Sequence, residues 1–194
     1  MANQLFINNE FIESKSNETM DVINPATGEK IDTITFATEE EVNEAIEKSK
    51  HAQREWERVP APTRAEHVKL LIPLLEQNKD ELAKLYVEEQ GKTLAQAEGE
   101  IDKAIQYIDY MTSLSMSNKG EVLQNSVANE NIQLTKKPIG VTAGIVPWNA
   151  PIMVLMRKVI PAVVTGCSVV IKPSEETTLL TLKLAELFLS LIHI

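Results

Sequence analysis

The chain has 194 residues, 43% of them apolar and 24% charged, an ordinary composition for a soluble globular protein of one domain with or without appendages. With 28 acidic and 19 basic residues, the net charge is −9, which argues against nucleic acid or an anionic membrane as the main partner. Cys167 is the only cysteine, so a disulfide framework and a thiolate metal cluster are excluded and a reducing cytoplasm is expected.

Residues 1–36 are predicted to form a small antiparallel β piece. Two short apolar runs flank Asn8-Asn9, a pattern typical of a hairpin. The sequence NPATGE at 24–29 predicts a turn between strands at 20–23 and 30–36, because proline presets φ and glycine permits positive φ. No basic segment followed by an apolar one lies near the N-terminus, so a signal peptide is not expected.

Residues 37–123 carry the signals of three helices, each opened by a capping box in which Thr precedes Glu or Gln by three residues. Pro60 and Pro62 are expected to end the first helix, Pro73 to kink or break the second, and Gly91 to end it. The three boxes are Thr38 with Glu41, Thr63 with Glu66, and Thr93 with Gln96.

Apolar residues at helical spacing predict the buried face of each helix. The third helix carries them along its whole length and is therefore expected to pack from end to end. The predicted inward residues are Val42, Ala45, Ile46 and Trp56 in the first helix, Val68, Leu71, Leu75, Leu82 and Leu85 in the second, and Leu94, Ala97, Ile101, Ala104, Ile108 and Met111 in the third.

Residues 140–175 predict one βαβ crossover of a parallel sheet, because two β-branched runs enclose an apolar helical segment. A short alternating strand at 131–135 and a bend at 138–140 precede it. The polar clusters PWN at 147–149 and KPSE at 172–175 each follow a strand. Ligands of such sheets bind beyond the carboxyl ends of the strands, so these two clusters predict a site.

A final helix is expected from about residue 176. It is Leu-rich, but it is too short and too interrupted by charge to span a bilayer. Its apolar side chains are expected to need a partner that the chain does not supply. These side chains are Leu179, Leu180, Leu182, Leu187, Phe188 and Leu189.

Asn149 is the first candidate for chemistry, because a side-chain amide at a strand end can donate a hydrogen bond to a developing oxyanion. Capping of the next helix is an equally good interpretation on spacing alone. Lys172 and Glu175 could bind the hydroxyls of a ribose. The residues alone favour a surface Lys–Glu pair with Ser174 as a helix N-cap.

The remaining reactive residue types give little. His51, His67 and His193 are scattered and are expected at the surface, and Cys167 enters an apolar strand, where packing is a commoner role than nucleophilic attack. The sequence contains no dinucleotide or phosphate-loop glycine motif, no zinc-protease motif and no EF-hand, so no metal site is predicted.

Six short motifs, in order and in register, resemble the N-terminal part of the NAD(P)-dependent aldehyde dehydrogenase superfamily, over residues 5–189. Within that family, residues 107–111 and 140–145 are most similar to lactaldehyde or glycolaldehyde dehydrogenases, and succinate-semialdehyde-type members come next. The motifs are NPATGE at 24–29, EQGK at 89–92, PIGV at 138–141, PWNAP at 147–151, RK at 157–158 and KPSE at 172–175.

The resemblance implies an α/β fold, namely the N-terminal part of an aldehyde dehydrogenase with an incomplete Rossmann-like parallel sheet, long helices and a small β-element. The four expected parts are an antiparallel β piece at 1–36, a helical part of the cofactor-binding domain at 37–123, a bridging or oligomerisation β-element at 124–138, and the first βαβ of the NAD-binding domain at 139–194. A homodimer or homotetramer follows by family analogy.

The resemblance also implies roles. Asn149 would stabilise the oxyanion of a hemithioacetal. Arg157 would contact a polar or hydroxylated aldehyde, although packing and a salt bridge are an equally good role for it. NAD is favoured over NADP, because a carboxylate at Glu175 repels a 2′-phosphate. The cofactor would be lined by Ile145, Val146, Pro147 and Trp148 and held by Lys172, Ser174 and Glu175.

The family's nucleophilic cysteine and general-base glutamate have no counterpart here, and Cys167 falls where the family has an ordinary residue. Residues 189–194 depart from the family's usual continuation, so an incomplete reading frame is expected, and this chain alone is expected to be inactive. Two other interpretations are a non-catalytic nucleotide-binding or assembly module and an unrelated α/β structural protein. The second would require the six motifs to be coincidence.

Overall fold

The computed structural model describes residues 4–191, which form seven α-helices and four two-stranded sheets. Two antiparallel hairpins come first, as predicted. Strands β1 (Gln4–Ile7) and β2 (Glu10–Glu13) are joined by Asn8 and Asn9, both with positive φ, as a tight hairpin turn requires. Strands β3 (Thr19–Ile23) and β4 (Lys30–Thr35) flank the predicted NPATGE turn.

Five helices follow, and the first and last begin at the capping boxes predicted at Thr38 and Thr93. In each, the Thr side chain accepts from the N3 backbone N–H while the N3 side chain accepts from the Thr backbone. The helices are α1 (Glu39–Trp56), α2 (Ala61–Lys69), α3 (Leu71–Gln77), α4 (Lys79–Gln90) and α5 (Leu94–Ser113).

The predicted second helix is three helices, and the capping box predicted at Thr63 is wrong. Helix α2 begins three residues earlier, after Pro60, with Pro62 in its first turn, where a missing N–H costs nothing. The chain breaks at Leu70, before Pro73, because Pro73 has no N–H to offer the carbonyl four residues back. A second break, at Asn78, was not predicted.

Helix α5 lies in the centre of the core and packs against α2, α4 and α6. Its predicted inward residues Ala97, Ile101, Ala104 and Ile108 are fully buried. Two end residues predicted to face inward are wrong, since Leu94 in α5 is 49% exposed and Val42 in α1 is 44% exposed. Both lie in a first helical turn, at the margin of the core rather than beneath another element.

An antiparallel hairpin of β5 (Glu121–Gln124) and β6 (Asn131–Leu134) follows α5. The sequence predicted β6 but not β5. All eight strand residues are exposed, including Val122, Leu123, Ile132 and Leu134.

The predicted βαβ crossover is confirmed: β7 (Val141–Ile145) and β8 (Ser168–Lys172) are parallel neighbours, connected through α6 (Pro151–Val164). A short 3₁₀ turn, Glu175–Thr177, then leads into α7 (Thr178–Leu191). The expectation that the α7 leucines lack a partner is wrong for Leu180 and Leu187, which are buried in the same core as α3, α4 and α6. Within residues 4–191, every helix is too short or too polar to cross a membrane.

Candidate functional site

The parallel pair β7–β8 brings the two polar clusters of the sequence to one edge. Ile145 lies beside Lys172 in the register, and the Val146 N–H donates to the Lys172 carbonyl at 3.0 Å just beyond it. The loop that contains Asn149 and the loop that begins at Lys172 therefore leave the sheet together. This is the edge at which parallel sheets bind ligands.

Asn149 lies in the loop between β7 and α6 and is exposed. The alternative that it caps α6 is wrong, because the N-cap residue is Ala150 and no side chain caps the helix. Among the described residues, the Asn149 side-chain amide has no hydrogen-bond partner, whereas its backbone carbonyl accepts from Lys92. The amide is therefore free to donate to a ligand.

At the end of β8, Lys172 and Glu175 form an ion pair with 2.5 Å between Nζ and Oε1. The hydrogen bond from Lys172, followed by one from the Glu175 backbone, lowers the pKa of the Glu175 carboxyl, so that it is ionised at neutral pH. Ser174 caps the 3₁₀ turn through the Glu176 N–H. The surface pair and the cap expected from the residues alone are both present, and they hold an anionic side chain at the edge of the sheet.

The four residues that follow or end β7 divide into one core residue and three exposed ones. Val146 is 2% exposed and anchors the loop in the core, whereas Ile145 is 74% and Trp148 56% exposed, and Pro147 is exposed as well. Large apolar side chains left open at a sheet edge form a surface on which a flat ring can lie.

Arg157 lies on the exposed side of α6, where it forms no salt bridge with any described residue. Its neighbour Tyr107 comes from α5. Burial raises the pKa of the Tyr107 phenol, and the positive charge of Arg157 opposes that rise. The salt-bridge role considered for Arg157 is therefore not found within residues 4–191.

A cluster that sequence reasoning missed underlies the Asn149 loop. Lys92 donates to Glu100 Oε2 at 2.5 Å, to the Tyr86 phenol at 2.7 Å and to the Asn149 carbonyl at 2.9 Å. Glu100 Oε1 accepts from the Met153 N–H at 3.2 Å. The only signal in the sequence was that Lys92 belongs to the EQGK motif at 89–92, whereas Glu100 belongs to no motif.

Glu89, from the same motif, binds the first turn of the last helix, α7. It is 3% exposed, and its two carboxylate oxygens accept from the backbone N–H groups of Leu179, at 2.6 Å, and Leu180, at 2.9 Å, in the first turn of α7. Burial raises the pKa of the Glu89 carboxyl to about 7, against the lowering effect of the two N–H donors. The carboxylate thus joins the end of α4 to the start of α7.

The other reactive residue types have structural surroundings. Cys167 is buried at the start of β8, as expected, and His67 contacts the Thr63 carbonyl and lies edge-on to Trp56. His193 lies outside the described residues. Over residues 4–191 no three His, Cys, Asp or Glu side chains are grouped so as to hold a metal ion.

In a comparison with protein-family models, the model described as the aldehyde dehydrogenase family matches residues 11–191. The chain is 39% identical to a lactaldehyde dehydrogenase of Escherichia coli over 173 residues, and 39% identical to a malonate-semialdehyde dehydrogenase of Bacillus cereus over 182 residues. These alignments cover 89% and 94% of this chain but only 36% and 37% of the relatives.

The structural comparison agrees. The crystal structure of Escherichia coli lactaldehyde dehydrogenase superimposes with a TM-score of 0.94 at 36% identity, over 97% of this chain and 39% of that one. The chain therefore spans a little over a third of the length of the relatives that it matches, and it corresponds to a fragment of their fold.

Proposed function

The chain belongs to the aldehyde dehydrogenase family, and we propose that it is part of an NAD(P)-dependent enzyme that oxidises an aldehyde to a carboxylic acid. The observation that carries this proposal is the convergence of the Asn149 loop and the Lys172–Glu175 pair at the carboxyl edge of β7 and β8. One loop offers a free amide donor, and the other offers an ion pair that fits a ribose. The family's cysteine nucleophile and its general base lie outside this chain, so the chain supplies the cofactor side and the oxyanion side of the site.

In this proposal Asn149 stabilises the negative charge that develops on the aldehyde oxygen during attack. Its amide is exposed and unpaired among the described residues, and it sits on a loop whose carbonyl is fixed by Lys92. A donor held in this way costs no reorganisation at the moment of reaction. Loss of one such donor lowers kcat by about a hundredfold to a thousandfold.

The cofactor is proposed to be NAD rather than NADP. When bound, it accepts the hydride of the aldehyde carbon. Glu175 is positioned to accept hydrogen bonds from ribose hydroxyls, with Lys172 and Ser174 holding its loop in place, and its negative charge opposes a 2′-phosphate. Exposed Ile145, Pro147 and Trp148, with buried Val146 beneath them, supply the apolar surface beside it.

The substrate is proposed to be a small hydroxyaldehyde such as lactaldehyde, with Arg157 contacting its polar end. Support comes from the 39% identity to a lactaldehyde dehydrogenase and from the exposed guanidinium of Arg157, which carries no salt bridge within the described part. A semialdehyde that carries a second carboxylate is the alternative, because the same cation suits it and because the chain is as similar to a malonate-semialdehyde dehydrogenase.

The test is an activity assay of the protein that contains this segment, with four aldehydes (lactaldehyde, glycolaldehyde, malonate semialdehyde and succinate semialdehyde) and with each nicotinamide cofactor. Reduction of NAD with a hydroxyaldehyde as the best substrate supports the proposal. Asn149→Ala should lower kcat by about a hundredfold or more while leaving NAD affinity unchanged. Absence of turnover with all four aldehydes, or an unaltered kcat in Asn149→Ala, would overturn it.

Glu175→Gln checks the cofactor assignment separately. The substitution removes the charge but keeps the size of the side chain, so the ratio of kcat/KM for NAD to that for NADP should fall. Glu176→Gln is the matched control, because Glu176 is the neighbouring carboxylate, is exposed, and forms no salt bridge within the described residues. A fall of the same size in both variants would contradict the role of Glu175.

A nucleotide-binding module without catalysis is the second candidate, because the Lys172–Glu175 pair is complete within this chain. Calorimetry of the 194-residue chain with NAD separates the two. Tight binding by the chain alone favours the module, whereas weak or absent binding is expected if the cofactor needs the rest of an enzyme.

We further propose a homodimer or homotetramer in the cytoplasm, with the exposed β5–β6 hairpin as the bridging element.

A further inference from the structure

One ion pair holds both the Asn149 loop and the start of α6; its lysine follows α4, and its glutamate lies on α5. Lys92 lies directly after Gly91, which ends α4 with a φ of 83° and turns the chain toward α5 and α6. From there the Lys92 ammonium reaches the Asn149 carbonyl, 57 residues away in sequence. Its partner Glu100 lies on α5 and accepts from the Met153 N–H.

Each residue of the pair binds one backbone group on either side of the point where the loop enters α6. Helix α6 begins at Pro151, so the N–H of Met153 has no intrahelical partner, and Glu100 satisfies it. A carboxylate at a helix N-terminus also interacts favourably with the helix dipole. Asn149 lies before the helix, and Lys92 holds its carbonyl. With the Asn149 carbonyl and the first turn of α6 both held, the backbone that carries the Asn149 side chain is restricted.

The ion pair is shielded on the core side by Tyr86. This side chain is fully buried, and Lys92 Nζ lies 4.7 Å from the centre of its ring as well as within hydrogen-bond distance of its phenol oxygen. Burial, and then the hydrogen bond to Glu100, raise the pKa of the Tyr86 phenol, so it stays protonated. The Lys92 and Glu100 side chains are only 20% and 11% exposed.

A second ion pair, which joins α4 directly to α5, serves as a comparison. Lys79 on α4 pairs with Asp102 on α5, also at 2.5 Å, but the two side chains are 29% and 50% exposed, and within the described residues they make no hydrogen bond to the Asn149 loop or to α6. Joining α4 to α5 therefore does not require a buried pair. The Lys92–Glu100 pair differs in its contacts with the loop.

We propose that Lys92 and Glu100 are positioning residues, which hold Asn149 in the orientation needed to donate to the substrate oxygen. Tyr86 supports the pair from below. This rests on the oxyanion role assigned to Asn149 under the proposed function. The order of the loop itself does not depend on that role, so the two can fail separately.

The test uses the 194-residue chain labelled with ¹⁵N, and it measures the backbone order parameter of Asn149 and the hydrogen exchange rate of the Met153 amide. Lys92→Met keeps the length and apolar stem of the side chain but removes the charge and the donors. We expect the Asn149 order parameter to fall from about 0.85 to below about 0.6. The Met153 amide should exchange about tenfold faster or more, because Glu100 loses the cation that orients it.

Lys79→Met is the matched control, since it breaks the ion pair that joins α4 directly to α5. It should leave the order parameter and the exchange rate unchanged. Equal changes in the two variants, or no change in Lys92→Met, would overturn the proposal. If Lys92→Met does not fold, the Asn149 order parameter is measured in Glu100→Gln instead, because glutamine keeps the shape of the side chain and an acceptor for the Met153 N–H. Increased mobility of Asn149 in that variant supports the proposal, and unchanged mobility refutes it.

A kinetic measurement on the enzyme that contains this segment connects the order of the loop to turnover. Lys92→Met should lower kcat about tenfold to a hundredfold while the dissociation constant for NAD stays the same, and Lys79→Met should change neither. A loosened Asn149 with unaltered kcat would reject the catalytic consequence. If the unaltered enzyme has no aldehyde activity, the proposed function fails and the order measurements still decide whether the pair holds the loop.

Discussion

Replacement of Glu89 by glutamine is expected to remove a specific pH dependence of stability. Glu89 is buried, and it accepts two backbone hydrogen bonds in the first turn of α7. Its pKa is raised to about 7, first by burial. Because the folded state then binds a proton more tightly than the unfolded state, the contribution of Glu89 protonation to the free energy of unfolding is full below about pH 4.5. It is lost as the pH rises to about 7.

The magnitude follows from the size of the shift. A rise of the Glu89 pKa from 4.5 to about 7 changes the free energy of unfolding by about 3 kcal/mol between low and high pH. Glu89→Gln cannot ionise, so it removes this slope. The amide oxygen can still accept from one of the two N–H groups, while the other faces an NH₂ and loses its partner, at a pH-independent cost of about 1–3 kcal/mol.

Urea unfolding of both proteins at several values from about pH 4.5 to 8 measures the difference directly. The change in unfolding free energy caused by Glu89→Gln should be largest at the acid end and should shrink by about 3 kcal/mol toward the alkaline end. Glu88→Gln is the control, because Glu88 is the exposed neighbouring carboxylate on the same helix. A difference between the wild-type protein and Glu89→Gln that does not vary with pH would refute the raised pKa and its cause.

Three further substitutions test other parts of the fold. Burial works to raise the pKa of Glu41, but hydrogen bonds from the Thr38 and Lys15 backbones outweigh it and hold the pKa at about 2. Glu41→Gln should therefore lower the free energy of unfolding by about 2 kcal/mol at neutral pH. This loss should become smaller as the pH falls from about 4.5 toward 2, which an acid titration of stability measures. Gly91→Ala should destabilise by about 1–2 kcal/mol in thermal melts, because φ is 83° and the new Cβ would lie 2.9 Å from Pro25. Gly99→Ala, inside α5 with nothing within 4 Å of its Cβ, should instead stabilise by about 0.5–1 kcal/mol, and a loss of stability there would contradict that open surface.

Local signals in the sequence were sufficient for most of the secondary structure. The Asn8-Asn9 turn, the capping boxes at Thr38 and Thr93 and the helix stop at Gly91 depend on a few adjacent residues, and all are confirmed. Thr63 failed because two local signals competed. A capping pattern at 63–66 overlapped with prolines that favour an earlier helix start, and the prolines prevailed.

Burial was less predictable than helix position. Periodicity places Leu94 and Val42 on the apolar face of their helices, but whether an end residue is covered depends on the length of the neighbouring elements. The reverse error occurred in α7. Its leucines looked unpartnered because α3 and α4, two of the three helices that pack against α7, lie far earlier in the chain.

The candidate site shows the same division between local and distant signals. Asn149 and the Lys172–Glu175 pair were found because each follows a strand, and parallel pairing alone brings two such loops together. Lys92 and Glu100 could not be found in that way. Lys92 follows the end of α4, Glu100 lies on α5, and they reach the Asn149 loop and the start of α6 only through the packing of α4, α5 and α6.

This difference bears on how the loop can be both exposed and ordered. Asn149 must be open to a ligand, so its own neighbours in the loop cannot bury it, and solvent competes for its hydrogen bonds. The backbone can still be fixed from beneath, by groups that the core already holds rigid. Tyr86 is buried, Glu100 lies on the central helix α5, and Lys92 joins them to the Asn149 carbonyl. In our proposal, helices α4 and α5, to which no ligand contact is assigned, therefore determine the geometry of the Asn149 donor.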